Sequence, residues 1–503
     1  MLQLSELDSS FLYLETDKTP LHVGGIYVFK KSKNSSALDF DRFKHILESK
    51  LENEPFFRKR LVEYPLNLDL PVWADDPNFK LENHVRHMSL RDSSPSQLLP
   101  LASVFFSKKL DRTKPLWQAC YIDKLDCDPS DKYKQHHFAL FLKVHITAID
   151  SLSGEDILSQ LLHVSPEITQ LEESYPWSPK PLPDTGSWLG TAYNNVFNIP
   201  GKLTHLVKDT ASSAFYSVFY ERLQKLNLPA SLMSVIGTPI NQKISDKRVI
   251  ENFEISLSDI RSIRRNLKNV TTNDVMMGIC AEAIANYLID MGEQSDEDLI
   301  ALAPISVRST QIDLKSGNQL AATLFSLAST EKCPIKRIQL INEAATSANS
   351  YDSAISANRL TELVPSCTAG LSARVYSEFL LPQKHKPMFN LPIINIPGPQ
   401  FPLYFEDTEL TQFIGTAPLF DGIGLALMIV SYNGKYSLTC TYCPDILNLE
   451  KPFSDYLKEA LDTILSANYS EIDDLRSEDH LPRKTGLIKD VVGLVNNLFS
   501  LGK

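Results

Sequence analysis

Between His163 and Trp188 the chain carries Pro166, Pro176, Pro179, Pro181 and Pro183. Each proline removes a backbone donor and fixes φ, so neither a long helix nor a central strand runs through this stretch. A chain of 503 residues suits about three ordinary domains or two large ones. The prolines therefore mark the seam: a first region over 1–163, a connecting region over 164–248 and a second region over 249–503. Within the connecting region, Leu206, Val207, Phe215, Val218, Phe219 and Leu223 predict an amphipathic helix over Leu203–Leu226.

Both flanking regions mix strand and helix signals. In the first, His22–Lys30 reads as a strand, and Phe43, Ile46, Leu47 and Leu51 mark one face of a helix. His137–Ile146 is a long apolar run that suits a buried central strand. After it, Ser153–Asp156 opens a predicted helix whose buried face is Ile157, Leu158, Leu161 and Leu162. In the second region, Val275, Met276, Ile279, Ala283, Tyr287 and Leu288 predict a helix, and Leu299–Ser306 a buried strand. Asn433-Gly434 between two apolar runs predicts a tight hairpin, because both residues tolerate φ > 0. The expectation is an α/β protein of two such regions joined by the proline-rich linker and its helix.

Charge and composition narrow the function. With 50 basic and 61 acidic residues, the net charge is −11, which argues against a nucleic-acid partner. The seven cysteines are scattered and odd in number, the pattern of a reducing cytoplasm. Cys440-x-x-Cys443 stands without a second pair, and His84-x-x-His87 without a carboxylate or thiol companion, so no metal site is expected and both histidines are read as surface residues. Met1–Leu14, with Glu6 and Asp8, does not have the make-up of a targeting segment. No run approaches the ~18 apolar residues of a membrane span, so work on lipid is expected from a membrane or lipid-inclusion surface. Near the C-terminus, Ile488, Val491, Val492, Val495 and Phe499 share a helical face beside Lys484, Lys489 and Lys503. That suits a helix docked on the body or one lying in an interface. The Leu203–Leu226 helix, with Lys202, Lys208, Arg222 and Lys225, is the rival for membrane contact.

A phosphate-cradling glycine loop, a G-x-S-x-G elbow and an H-E-x-x-H helix are all missing. The informative segment runs from Lys143 to Gly154 (KVHITAIDSLSG). A buried strand ends there, and His145 and Asp150 follow at its mouth, the usual place for a site in an α/β sheet. Residues alone leave a second reading open, a core histidine bonded to backbone and an aspartate capping a turn.

Several segments, in order, make the chain similar to the wax ester synthase/diacylglycerol acyltransferase family of bacteria. They are Leu4–Glu15 (LSELDSSFLYLE), Pro20–Gly25 (PLHVGG), Asp111–Gln118 with Pro115-Leu116-Trp117, Asn273-Asp274, Pro304–Arg308 (PISVR), Asn395–Pro399 (NIPGP), Gly424-Leu425 and Ser431–Gly434. The resemblance covers nearly the whole chain. It implies two domains like those of CoA-dependent acyltransferases with the active site at their interface. It implies transfer of a fatty acyl group from acyl-CoA, a substrate rather than a resident cofactor, to a long-chain alcohol or diacylglycerol. It places Pro115, Leu116 and Trp117 beside the acyl channel and Asn273 and Asp274 as a site element from the second domain; their bland readings are core packing and a helix N-cap.

The resemblance also implies an H-H-x-x-x-D-G motif, whose second histidine is the general base for the acceptor alcohol. Aligned on Lys143-Val144 and Ser153-Gly154, the first histidine is His145 and the aspartate Asp150, but the second histidine is Ile146 and the glycine Ser151. The pair His136-His137 is no substitute, because Phe141 stands where an aspartate is needed. Isoleucine accepts no proton, and His145 should point to the opposite face of the strand. The expectation is an acyltransferase of impaired activity, with Asp150 organising the loop. The alternative is a non-catalytic paralogue that binds acyl-CoA, neutral lipid or a droplet surface and pairs with an active relative. A third reading gives the base role to His145 or to a substrate group.

Overall fold

The computed structural model describes residues 2–149, 161–166, 168, 177–182, 235–306, 320–352 and 389–467, apart from 5, 32–37, 54, 65–69, 91–92, 127–136, 295 and 448. The first part of the chain forms β1 (Leu2–Gln3), α1 (Glu6–Leu14), β2 (His22–Lys30), α2 (Phe40–Asn53), β3 (Lys59–Val62), β4 (Val72–Asp75), β5 (Val85–Ser89), α3 (Leu98–Ser107), β6 (Trp117–Leu125), β7 (His137–His145) and α4 (Ile146–Ile149). Later come β8 (Val249–Ser256), α5 (Leu257–Arg265), α6 (Thr272–Asp290), β9 (Ile300–Ser306), β10 (Leu320–Ser326), α7 (Pro334–Asp352) and β11 (Leu391–Ile396). The last elements are β12 (Tyr404–Phe405), β13 (Thr408–Thr416), β14 (Leu425–Tyr432), β15 (Lys435–Tyr442) and α8 (Phe453–Ser466).

Among the described residues two six-stranded sheets form, in the orders β12-β13-β2-β7-β6-β5 and β10-β9-β11-β14-β15-β8, beside a small sheet β1-β4-β3. β12 and β13, from late in the chain, complete the first sheet by antiparallel pairing of β13 with β2. β13 also packs against β14 and β15.

The apolar run of β7 is buried on both faces, as its unbroken hydrophobicity requires. On one face Tyr27, Phe29, Phe138 and Leu140 pack against Phe43, Ile46, Leu47 and Leu51 of α2. On the other, Ile26, Val28, Ala139 and Phe141 pack against Ala102 and Phe106 of α3. Gly24 lets β2 pass this crowded place, because a Cβ there would stand 2.0 Å from Leu142 O. The β14–β15 hairpin turns at Asn433 (φ 44°) and Gly434 (φ 80°), both left-handed as the sequence predicts.

α6 is buried along most of its length. Its cap corrects one expectation: Thr271, not Asn273 or Asp274, is the N-cap, and Asp274 closes the capping box at the third helical position. His84 is a second correction. It is buried, stacked between Phe79 and Trp117, with Nδ1 2.9 Å from Trp117 O. Of the two, only His87 reaches the surface, facing Asp123 at 3.0 Å, and they share no helix: His84 precedes β5 and His87 lies within it. The predicted helices at Ser153–Leu162 (except its last residues), Leu203–Leu226 and Lys484–Lys503 lie outside the described residues.

Candidate functional site

The mouth of β7 is tied down from both sides. His145 N–H donates to Leu116 O (3.0 Å) and Ile146 N–H to Leu21 O (3.0 Å). Strand geometry gives way at Ile146 to the single turn of α4, on which α1 packs. Across the sheet, His145 sits opposite His22 and Lys143 opposite Gly24.

His145 is fully buried, and both its ring nitrogens face protein groups. Thr147 N–H (3.2 Å) and the Thr147 hydroxyl (2.8 Å) donate to Nδ1, which puts the ring hydrogen on Nε2. Nε2 stands 3.4 Å from Glu15 Oε1, an electrostatic contact without the alignment of a hydrogen bond. The side chain of Glu15 is itself sealed from solvent. It accepts from Leu21 N–H (3.2 Å) and Arg112 Nε–H (3.0 Å), with Lys109 Nζ at 3.8 Å. Burial alone would raise the Glu15 carboxyl, but His145, Arg112 and Lys109 outweigh it and hold the group at about 2. Glu15 is therefore an anion that fixes the ring of His145.

Two more buried basic groups share this face. Lys143 Nζ donates to Phe105 O (2.8 Å) and Lys108 O (2.5 Å) and lies 4.6 Å from the Phe105 ring centroid. Burial, with Arg86 and Lys108 nearby, pulls Lys143 down to about 7. His22 Nε2 stands 2.7 Å from Phe106 O. Burial pushes His22 down to about 3, and Lys143 adds to the effect, so the imidazole is neutral.

The residues singled out from the sequence fall into separate groups. His145, Ile146 and Leu116 meet at the end of β7. Ile146 is half-buried, and Asp150 and Ser151 lie outside the described residues. Leu116 is core, packed with Leu12, Trp73 and Ala148. Trp117 is core too: its Nε1–H donates to Phe57 O (2.8 Å) and its ring stacks on His84. With Pro115 it also borders an open cleft of about 360 Å³ shared with Arg86, Lys109 and Lys114. Asp274 is buried and accepts from Thr271 N–H (2.8 Å), the Thr271 hydroxyl (2.7 Å) and Asn342 Nδ2 (2.8 Å). Asn273 is exposed and accepts from Asn395 Nδ2 at 2.7 Å, joining two of the resembling segments.

Glu15, His22, Arg112 and Lys143 were not singled out from the sequence. Glu15 and His22 stand inside resembling segments, but their roles come from strand pairing and from a partner about a hundred residues away. The one available signal was a charged or polar residue beside an otherwise apolar strand.

Comparisons with known proteins bear on this arrangement. The family model for the wax ester synthase/diacylglycerol acyltransferase catalytic domain matches residues 4–276, and that for the WS/DGAT C-terminal domain matches residues 316–465. A putative diacylglycerol O-acyltransferase of Mycobacterium tuberculosis is 27% identical over 475 residues, covering 92% of this chain and 90% of that protein. An O-acyltransferase of Acinetobacter baylyi is 25% identical over 473 residues, covering 92% and 96%. Among solved structures, the wax ester synthase/diacylglycerol acyltransferase of Marinobacter aquaeolei superposes with a TM-score of 0.65 at 24% identity, covering 92% of this chain and 98% of that one. The first condensation domain of the CDA synthetase superposes with a TM-score of 0.51 at 10% identity, covering 94% and 98%. The fold is thus a mixed α/β architecture of two condensation-like domains.

Proposed function

The chain belongs to the wax ester synthase/diacylglycerol acyltransferase family, and from that membership we propose that it transfers a fatty acyl group from acyl-CoA to a long-chain alcohol or diacylglycerol at a reduced rate. In this reading the first region (1–163) brings the strand-end motif, the second (249–503) closes over it, and the reacting groups meet between them. The observation that carries the reduced rate is the pair His145-Ile146. The family's base position holds an aliphatic side chain. The neighbouring histidine has one nitrogen bonded to Thr147 and the other turned to Glu15, with no exposed surface. Neither residue takes a proton from an incoming alcohol. General-base catalysis is worth roughly 10²–10⁴-fold, whereas holding the two substrates together survives its loss.

The same observation favours one other reading, a non-catalytic paralogue that retains the channel and binds acyl-CoA, neutral lipid or a droplet surface beside an active relative. Association with a membrane or lipid inclusion belongs to either reading. Among the described residues no helix is long and apolar enough to cross a membrane.

The test is CoA release from a long-chain acyl-CoA with hexadecanol or diacylglycerol as acceptor, comparing the natural protein with Ile146→His. Slow release by the natural chain and a gain of roughly 10²–10⁴-fold in the variant support slowed acyl transfer. Equal and rapid ester formation by both overturns the reading of Ile146. Inactivity of both, with acyl-CoA still bound, favours the non-catalytic paralogue.

A further inference from the structure

His22 carries a polar atom that nothing described so far uses. Its Nε2–H donates to Phe106 O, which leaves the Nδ1 lone pair bare. That atom is sealed from solvent and has no partner among the described residues. Two hydroxyls share the same condition, Thr416 Oγ1 at the end of β13 and Thr441 Oγ1 on β15. Buried polar atoms are almost always satisfied in native proteins, so three orphans together call for an occupant.

The three residues line one cavity, walled also by Arg248, Phe106 and Ile250. It lies at the meeting of the two large sheets. Ile250 N–H of β8 donates to Ser103 Oγ of α3 at 3.0 Å, and Arg248 donates to Lys18 O across the same seam. Counting its mouth, the open space is about 280 Å³, with room for the centre of only about one water-sized group.

The chemistry of the lining selects the occupant. Arg248 already donates to Ser245 O, Lys247 O and Lys18 O. His22 is neutral, held down to about 3 by burial. The Arg248 bonds to neutral carbonyls leave its guanidinium charged at the wall of the cavity. Nδ1 needs a donor, whereas each threonine hydroxyl can donate or accept. A carboxylate offers no hydrogen to Nδ1, and an ammonium would bury a second positive charge beside the Arg248 guanidinium. A neutral hydroxyl donates to Nδ1, accepts from a threonine and adds no charge.

We propose that this cavity is a binding site for one neutral hydroxyl group, which donates to His22 Nδ1 and accepts from Thr416 or Thr441. The hydroxyl belongs either to an ordered water or to an alcohol whose carbon lies against Phe106 and Ile250. The alcohol source rests on the acyl-transfer reading. His22 is then a positioning residue for the acceptor, directly opposite His145 across the sheet.

The experiment is nitrogen-15 NMR of the full chain labelled at histidine, with the His22 signals assigned by His22→Gln. Spectra are taken alone, with 1-decanol and with decane. An upfield shift of Nδ1 on adding decanol, not reproduced by decane, identifies the alcohol as the source. A hydrogen-bonded Nδ1 in the protein alone, indifferent to decanol and lost in Thr416→Val/Thr441→Val, identifies ordered water. The double variant leaves His22 in place, so it reports even where His22→Gln misfolds. An Nδ1 that resonates as an unbonded nitrogen throughout, that carries a proton at neutral pH, or that responds equally to decane overturns the site. CoA release on the same samples separates the two readings. A His22 response without CoA release removes acyl transfer alone, and CoA release with a silent His22 removes this site alone.

Discussion

Glu15→Gln removes the anion at the centre of the buried cluster while keeping its shape. In the folded chain the carboxyl is held at about 2 against an ordinary 4.5. At ~1.4 kcal/mol per tenfold change in acidity, ionised Glu15 contributes roughly 3 kcal/mol at neutral pH. Removing the buried anion of this cluster costs a similar amount, about 3–5 kcal/mol, because Arg112 loses its counter-charge, while Lys109 keeps only the exposed Asp17. A depressed folded-state value makes this stability fully present above about pH 4.5 and lost as pH falls through about 2. The glutamine variant is therefore expected to be less stable by about 3 kcal/mol at pH 7. The gap narrows to below about 1 kcal/mol near pH 2.5, where the natural carboxyl approaches protonation. Urea unfolding read by tryptophan fluorescence measures it, since Trp73 and Trp117 are buried in the neighbouring core. A gap that is the same at both pH values, or one under about 1 kcal/mol at pH 7, would refute an ionised Glu15 that anchors His145.

Three further outcomes follow from the same contacts. Thr147→Val deletes the hydroxyl donor to His145 Nδ1 and should cost about 1–2 kcal/mol in urea unfolding, while reducing whatever CoA release Ile146→His restores, because only the Thr147 N–H then holds the ring. Gly24→Ala drives a methyl to 2.0 Å from Leu142 O and 2.8 Å from Phe106; backbone cannot yield as a side chain does, so a loss of about 3 kcal/mol or more, or failure to accumulate folded protein, is expected. Asp274→Asn weakens the capping box of α6 and should lower stability by about 1 kcal/mol with CoA release unchanged, whereas a selective loss of CoA release at full stability would return Asp274 to the site.

Much of the local architecture was legible in the residues. The face Phe43–Ile46–Leu47–Leu51 recurs at helical spacing, and α2 buries those four side chains. Asn433-Gly434 carries its own turn geometry, and the hairpin closes there. The long run of β7 announces a strand covered on both faces, as the two helices across its sheet require. Trp117 and Asp274 show the limit. Either residue suits a channel or a scaffold by type, and the structure adds the partners that no spacing gives, Phe57 O for one and Thr271 with Asn342 for the other. His84 shows the same limit, since a spacing of three residues does not say that one histidine ends a buried turn and the other stands exposed on the strand after it.

What the sequence determined by itself is chemical identity along the chain: the ordered family segments, the local helix and hairpin signals, and the isoleucine that follows His145. Those are properties of single residues and their near neighbours, set by side-chain chemistry and backbone preference. Tertiary structure alone decided that His145 turns to Glu15 and Thr147, that β13 crosses into the first sheet, and that three unsatisfied polar atoms from β2, β13 and β15 share one cavity. Those facts join residues far apart in the chain, and they depend on which surfaces exclude water together, which no local pattern encodes.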